Sequence, residues 1–431
     1  MDLSRRSFLA ATGLGALGLA STALTAGCST DGGAEASASG PVEGEITVLT
    51  PMYQGATGKQ LLEGTLLKQF HKKYPKATVK VDYTDYNSLN EKITTGLAGG
   101  LLPDVLMIGV GWVPPFAYKK VLAPLPDSAG TKYDYQPRVL APSKYDGKLY
   151  ALPVVLDARV VAYRKDHFEA AGIKAPPKDW TELRAIAKEL AQAKGGKVTR
   201  AGFDPFSIDL RQCWENFVFA NGGRLFDESG RKVLFDDDRG VEALQLFLDV
   251  VKDKVADPSF APAAGQPSTL QQGRASMMMT DTALWLNMQQ QTPELIDEDK
   301  VGMFVLRNTD AAMLQGGTLG CVSAHSQHRA AAQALVEFLA TPDAVLPAAE
   351  QRGSVPGISS LRDSAYVKKN KLVDFALSNL DKSVSEGGTP AWMEIREKVK
   401  PTLQTAVVGQ RTAKQAIGDL ASVAKAAIGR L

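Results

Sequence analysis

Gly147–Phe168 reads GKLYALPVVLDARVVAYRKDHF, and the rest of the chain is arranged around it. Gly147–Pro153 predicts a turn followed by a short strand closed by proline. Val154–Tyr163 is β-branched and apolar, the composition of a largely buried strand. Asp157 and Arg159 are nevertheless set into it. Charges in a buried strand are costly unless they pair or meet a polar ligand. Two readings stay open: an edge strand with an incidental Asp157–Arg159 salt bridge, or a strand that presents both groups to a ligand.

Upstream, Glu45–Thr50, Val79–Tyr83 and Pro103–Ile108 read as strands, with helices over Lys59–Tyr74 and Asn87–Gly99 between them. Strand and helix alternate, which predicts a parallel α/β sheet. Ligands of such sheets gather beyond the carboxyl ends of the strands. Three loops there carry candidates: Tyr53 and Gln54, Tyr86 and Asn87, Gly111 and Trp112. Trp112 is open between a ligand contact and a packing residue.

Downstream, a helix is expected over Trp180–Ala193, with Trp180 as a packing residue. Arg211, Trp214, Glu215 and Asn216 open a further helix that ends at Asn221-Gly222-Gly223. Asp236-Asp237-Asp238 resembles a metal cluster, but no ligand-spaced partners follow. An acidic first turn capping a helix Arg239–Lys252 accounts for it. Met277–Met279 reads as core strand. Gly316 and Gly317 suit either close backbone approach to a ligand or a tight turn. Glu386–Trp392 reads as a loop in an otherwise helical tail, one placed to reach the mouth of a ligand cleft.

The N-terminus predicts export. Ser4-Arg5-Arg6-Ser7-Phe8-Leu9 is a twin-arginine pattern, and a weakly apolar Gly/Ala-rich run continues to Gly27. Leu24–Cys28 resembles a lipobox, with Thr25 where leucine is usual, so cleavage before Cys28 and a lipid on its sulfur are expected. Gly13-x-Gly15-x-x-Gly18 matches a dinucleotide fingerprint, but no strand precedes it and the segment is to be removed. Ser29–Gly44 is a polar, flexible tether.

At 431 residues two lobes are the natural prior. Net charge is +2, and +1 once Arg5, Arg6 and Asp2 leave with residues 1–27, so nothing favours a nucleic-acid partner. His71, His167, His325 and His328 form no H-E-x-x-H motif, and no nucleophile elbow, phosphate loop or Cys-x-x-Cys is present. No cofactor is implied. Glycoside hydrolysis needs only two carboxylates across a cleft, so residue types alone do not separate enzyme from binder.

An ordered set of these features resembles family 1 extracellular solute-binding proteins, the carbohydrate-capturing components of ABC importers. It consists of Asp146–Pro153, the strand running into Tyr163-Arg164-Lys165-Asp166, Phe168, the proline-led helix from Pro177 to Leu183, and Leu270–Met279. The resemblance covers roughly residues 45–430. It implies a two-lobe periplasmic-binding-protein α/β fold, each lobe a mainly parallel sheet flanked by helices, with the ligand in the cleft between. The N-terminal lobe would comprise 45–156 and 312–358, and the C-terminal lobe 157–311 and 359–431. Asp157 would face the cleft at the hinge. Trp285, after a Gly-x-Ala-x-Met strand, would stack on sugar, as a tryptophan does at the matching place in maltose-binding proteins. Arg159, Trp214, Asp281, Gly316, Gly317, Arg352 and Trp392 complete the implied ligand set. Cys213 and Cys321 would fall in different lobes, where a disulfide would restrain the hinge, so free buried thiols are expected. The implied partners are a carbohydrate, with a phosphorylated polyol or another small polar solute as the alternative ligand, the importer's permease subunits, and the extracytoplasmic face of the cell membrane through Cys28. The implied state is a monomer.

Overall fold

The computed structural model describes residues 38–263 and 265–431. The tether's start and the expected processing site at Cys28 lie outside the described residues. In chain order the strands are β1 (Gly44–Thr50), β2 (Ala77–Tyr83), β3 (Val105–Gly109), the ribbon β4 (Lys144–Tyr145) and β5 (Lys148–Leu149), then β6 (Ala151–Ala158) and β7 (Val160–Arg164). There follow β8 (Gln192–Lys194), β9 (Lys197–Asp204), β10 (Ala275–Thr280), β11 (Val301–Phe304), β12 (Leu306–Arg307), β13 (Ala311–Val322) and β14 (Ser383–Ser385). One sheet runs β12-β13-β3-β1-β2, with β6 and β14 also paired to β13; the other runs β11-β7-β10-β9-β8.

The two-lobe α/β fold is as expected, but the sheets are mixed. β1 pairs in parallel with β2 and β3, and β9 with β10. β7, β11 and β13 bring antiparallel pairs. Alternation of strand and helix reports only the consecutive crossovers. It is blind to strands that enter a sheet from the other lobe.

The stretch read as one strand over Val154–Tyr163 is two strands in two sheets. β6 belongs to the first and β7 to the second, with Arg159 at the break. Pro153 does not close a strand. It lies inside β6, opposite a register shift in β13 where Thr318 faces Val155 and Leu319 faces Pro153. That shift leaves Val154 as the extra residue of a bulge, the setting in which proline's missing N–H is tolerated. β13 is the return path. Its first half packs on the helix Leu210–Ala220, where Asn216 Oδ1 accepts the Leu314 N–H at 2.6 Å, and its second half pairs with β3. A third crossing follows Arg352, and Val355 exchanges backbone hydrogen bonds with Leu156 at 2.7 and 2.9 Å. Gly317 is needed where these paths meet. Its φ is +129°, and a Cβ there would fall 2.3 Å from the Val155 carbonyl oxygen.

Each layer has its own core. Ile46, Val48, Phe70, Met107 and Leu335 fill the first lobe. Trp180, Phe217, Phe247 and Leu420 fill part of the second. The helix 55–73 starts earlier than its periodicity predicts and contains a π-helical turn over Leu62–Leu66. Asp237 caps the helix Asp238–Lys252, accepting from Arg239 and Gly240 N–H groups, which accounts for the acidic triplet. Cys213 and Cys321 are free and buried. The tail packs on the second lobe through the helices Trp392–Val407 and Ala413–Ile428. No helix among the described residues is long and apolar enough to cross a membrane.

Candidate functional site

Where β6 gives way to β7, the two sheets part and leave a cavity of about 160 Å³. The first lobe lines it with Tyr86, Trp112 and the backbone turn at Gly109–Val110. The crossing strands add Asp157, Arg159 and Gln315–Gly317, and the second lobe adds Gln212, Glu386 and Arg396. Six residues expected from the sequence, Tyr86, Trp112, Asp157, Arg159, Gly316 and Gly317, therefore share one cavity.

Their side chains are held by neighbours in and around the cavity. Ser354 Oγ donates to Asp157 Oδ1 at 2.9 Å. Arg159 Nε donates to Gln212 Oε1 at 3.0 Å, while its Nη1 is buried without a partner. The Asp157–Arg159 salt bridge, open as a reading of the sequence, is not formed. Tyr86 and Thr318 hydroxyls are hydrogen-bonded. Burial pushes the Tyr86 phenol up, while that Thr318 bond and the nearby Arg352 pull it down. The Trp112 ring meets Tyr86 edge-on at 6.5 Å and carries the Arg396 guanidinium 5.3 Å from its centroid. Trp112 is thus both buried and cavity-lining, so the two sequence readings do not compete.

Glu386 reaches the cavity from the loop after β14. It is gripped by Arg211, whose Nη1 also holds both Glu215 carboxylate oxygens at 3.0 Å, and by Arg396 at 3.5 Å. Glu215 is fully buried, and burial raises its carboxyl against the pull of Arg211. Gln212, Gln315, Glu386 and Arg396 were not in the sequence-derived set. The available signals were the Arg211/Glu215 pair at i,i+4 and the Glu386-Gly387-Gly388 loop; neither carries its partner's address. Gly111 and Gly387 let the two segments touch: a Cβ on Gly111 would lie 2.8 Å from both Cγ and O of Glu386, and one on Gly387 2.7 Å from the Gly111 carbonyl oxygen.

Other expected residues stand near the cavity or away from it. Arg352 does not line it, but its charge acts on Tyr53 and Tyr86. Tyr53 is buried at φ +60° with its hydroxyl unpartnered. Asp281 borders a separate cavity with Ser207 and Asn287, and accepts the Ala283 N–H at 3.0 Å. Burial raises its carboxyl, Arg159 opposes this, and Asp157 adds to it. Gln54 is exposed and donates to the Thr84 carbonyl; Asn87 is exposed on the first turn of its helix.

Three expected tryptophans, Trp214, Trp285 and Trp392, do not line this cavity. Trp214 is buried against Phe235 and donates Nε1–H to the Gly240 carbonyl at 3.1 Å. Trp285 does open a helix, Leu284–Gln291, but its ring packs in the core with Leu284, Met288 and Leu372. Trp392 is 1% exposed and meets Phe226 edge-on. Each belongs to a helix whose inward stripe fills the space between layers, so its ring is spent on packing.

The model of the bacterial extracellular solute-binding protein family matches residues 54–346. The diacetylchitobiose binding protein DasA of Streptomyces coelicolor is 32% identical over 260 residues, 60% of this chain and 55% of that protein. The GacH receptor of Streptomyces glaucescens, solved unliganded and with acarbose, superposes with a TM-score of 0.75 at 24% identity, covering 90% of this chain and 99% of the receptor. Maltose-bound MalE3 of T. maritima gives 0.73 at 25% identity, over 88% and 99%. The matched residues take in the first two crossings between the lobes and all six expected residues of the cavity, and the chain belongs to the bacterial extracellular solute-binding protein family, a family of binding proteins.

Proposed function

We propose that this chain captures a short carbohydrate by closing its lobes and delivers it to an ABC importer permease, held at the extracytoplasmic face of the membrane by a lipid on Cys28. The observation that carries the reading is the meeting of Trp112 and Tyr86 with Asp157 and Arg159 around one cavity at the crossing strands. An aromatic face suits the apolar face of a sugar ring, and fixed polar groups suit its hydroxyls. The roughly 160 Å³ enclosed there is below the roughly 300 Å³ at which small-molecule pockets usually begin, which favours a short ligand over a long chain. DasA and MalE3 are named for sugar ligands, which supports the class. Arg5-Arg6 and Leu24–Cys28 support export and lipidation.

A thermal-shift screen over mono- and disaccharides, followed by calorimetry and small-angle scattering, tests it. A binder should raise the melting temperature and shrink the scattering radius as the lobes close. A panel in which no sugar does either would overturn the reading. Intact mass of membrane-extracted protein should begin at lipidated Cys28, and Cys28→Ser should release the protein.

A further inference from the structure

Arg159 is 8% exposed, so its guanidinium is close to fully desolvated. Its Nε is satisfied by Gln212, but Nη1 has no partner. Among the described residues no carboxylate oxygen lies within 4.0 Å of its nitrogens. Each acid around it makes another contact, and Asp157 keeps its second carboxylate oxygen for a ligand. Asp157 accepts from Ser354, Glu386 is shared by Arg211 and Arg396, and Asp281 accepts a backbone N–H. The unmet capacity on this cavity is therefore mainly that of donors. Arg159 Nη1 is buried without a hydrogen bond, and Gln315, 2% exposed, has both amide atoms in the same condition. A buried cation that makes no ion pair is costly to the fold. A planar guanidinium with free N–H groups is the partner that a carboxylate fits best.

We propose that the ligand is an acidic sugar, a uronic or aldonic acid, whose carboxylate is received by Arg159. This rests on the reading of the chain as a sugar binder and deepens it. Asp157, near the end of β6 and lining the same cavity, then takes the hydroxyls of the ring. Trp112 supplies the apolar surface.

The test is calorimetry on the full-length protein with matched pairs: glucuronate and glucose, galacturonate and galactose, gluconate and glucitol, and the corresponding disaccharides, with sugar phosphates as a further arm. At least one acid should bind tenfold or more tightly than its neutral partner. Arg159→Gln should abolish that preference, and Arg159→Lys should keep part of it. The preference should shrink as salt is raised. Neutral partners binding as tightly as the acids would overturn the proposal and leave the sugar reading standing. A phosphate arm that outbinds every carboxylate would overturn it too. An acid preference unchanged in Arg159→Gln would remove Arg159 from the role. If no member of any series binds, both readings fall. The wild-type comparison decides the ligand class even if a variant fails to fold.

Discussion

The crossing strands and the helical side of the second lobe are built from the same residue types and use them in opposite ways. At the crossing, Trp112, Asp157, Arg159 and Glu386 surround space, and donors stay buried without partners. On the helical side, Trp214, Trp285 and Trp392 are surrounded by side chains and fill space. Trp285 and Trp392 even leave their indole N–H groups unpartnered, a cost that the burial of two large rings offsets. The contrast teaches that residue type does not mark the site. What marks it is unmet polar capacity at a place where two layers separate.

Four experiments break or sharpen that contrast. The largest effect is expected from Trp285→Ala, which should lower unliganded stability by about 3–5 kcal/mol in denaturant unfolding, the cost of emptying a core tryptophan site. Affinity of the folded variant should hold. Kept stability with lost affinity would move Trp285 into the cleft and break the comparison.

Asp157→Ala should do the reverse. Binding should weaken by roughly 2–4 kcal/mol, because ligand hydroxyls lose a buried acceptor, while the unliganded melting temperature changes little. Equal affinity by calorimetry would place the acceptor elsewhere.

Gly111→Ala sharpens the boundary itself. The added Cβ meets Glu386, which comes from the opposite lobe, so it opposes closure. An affinity loss of about tenfold, near 1.4 kcal/mol, is expected. The liganded scattering radius should stay closer to the unliganded one. An unaltered radius and affinity would mean that the loop yields freely.

The smallest effect is a pH slope that belongs to the second lobe alone. His167 donates to or accepts from Ser276 Oγ at 3.0 Å, and burial, with Arg164 and Arg200 nearby, lowers its pKa from 6.5 to about 4. The folded state thus binds fewer protons than the unfolded state in that window. Its contribution to stability is present above pH 6.5 and is lost as pH falls toward 4. His167→Gln should flatten this part of the unliganded stability profile. A profile identical to wild type would assign the slope to other groups.

Much of the fold was legible in the chain. Alternating strands and helices from β1 to β3, the Asp237 cap and the Met277–Met279 core strand follow from local periodicity and capping, which need only neighbours in sequence. The Asp157/Arg159 pair could be flagged because charge inside an apolar β run is conspicuous at short range. Tertiary structure alone decided that this run splits between two sheets at Arg159, and that β13 returns beside it in the opposite sense. It alone brought Glu386 and Arg396 to the cavity beside Asp157 and Arg159, more than two hundred residues away in sequence. It also turned Trp214, Trp285 and Trp392 inward. The physical reason is range. Backbone preference, period and capping act over a few residues. Which face of a helix finds a neighbouring layer, and which charge is left without a partner, depends on the packing of distant segments, and no local pattern encodes it.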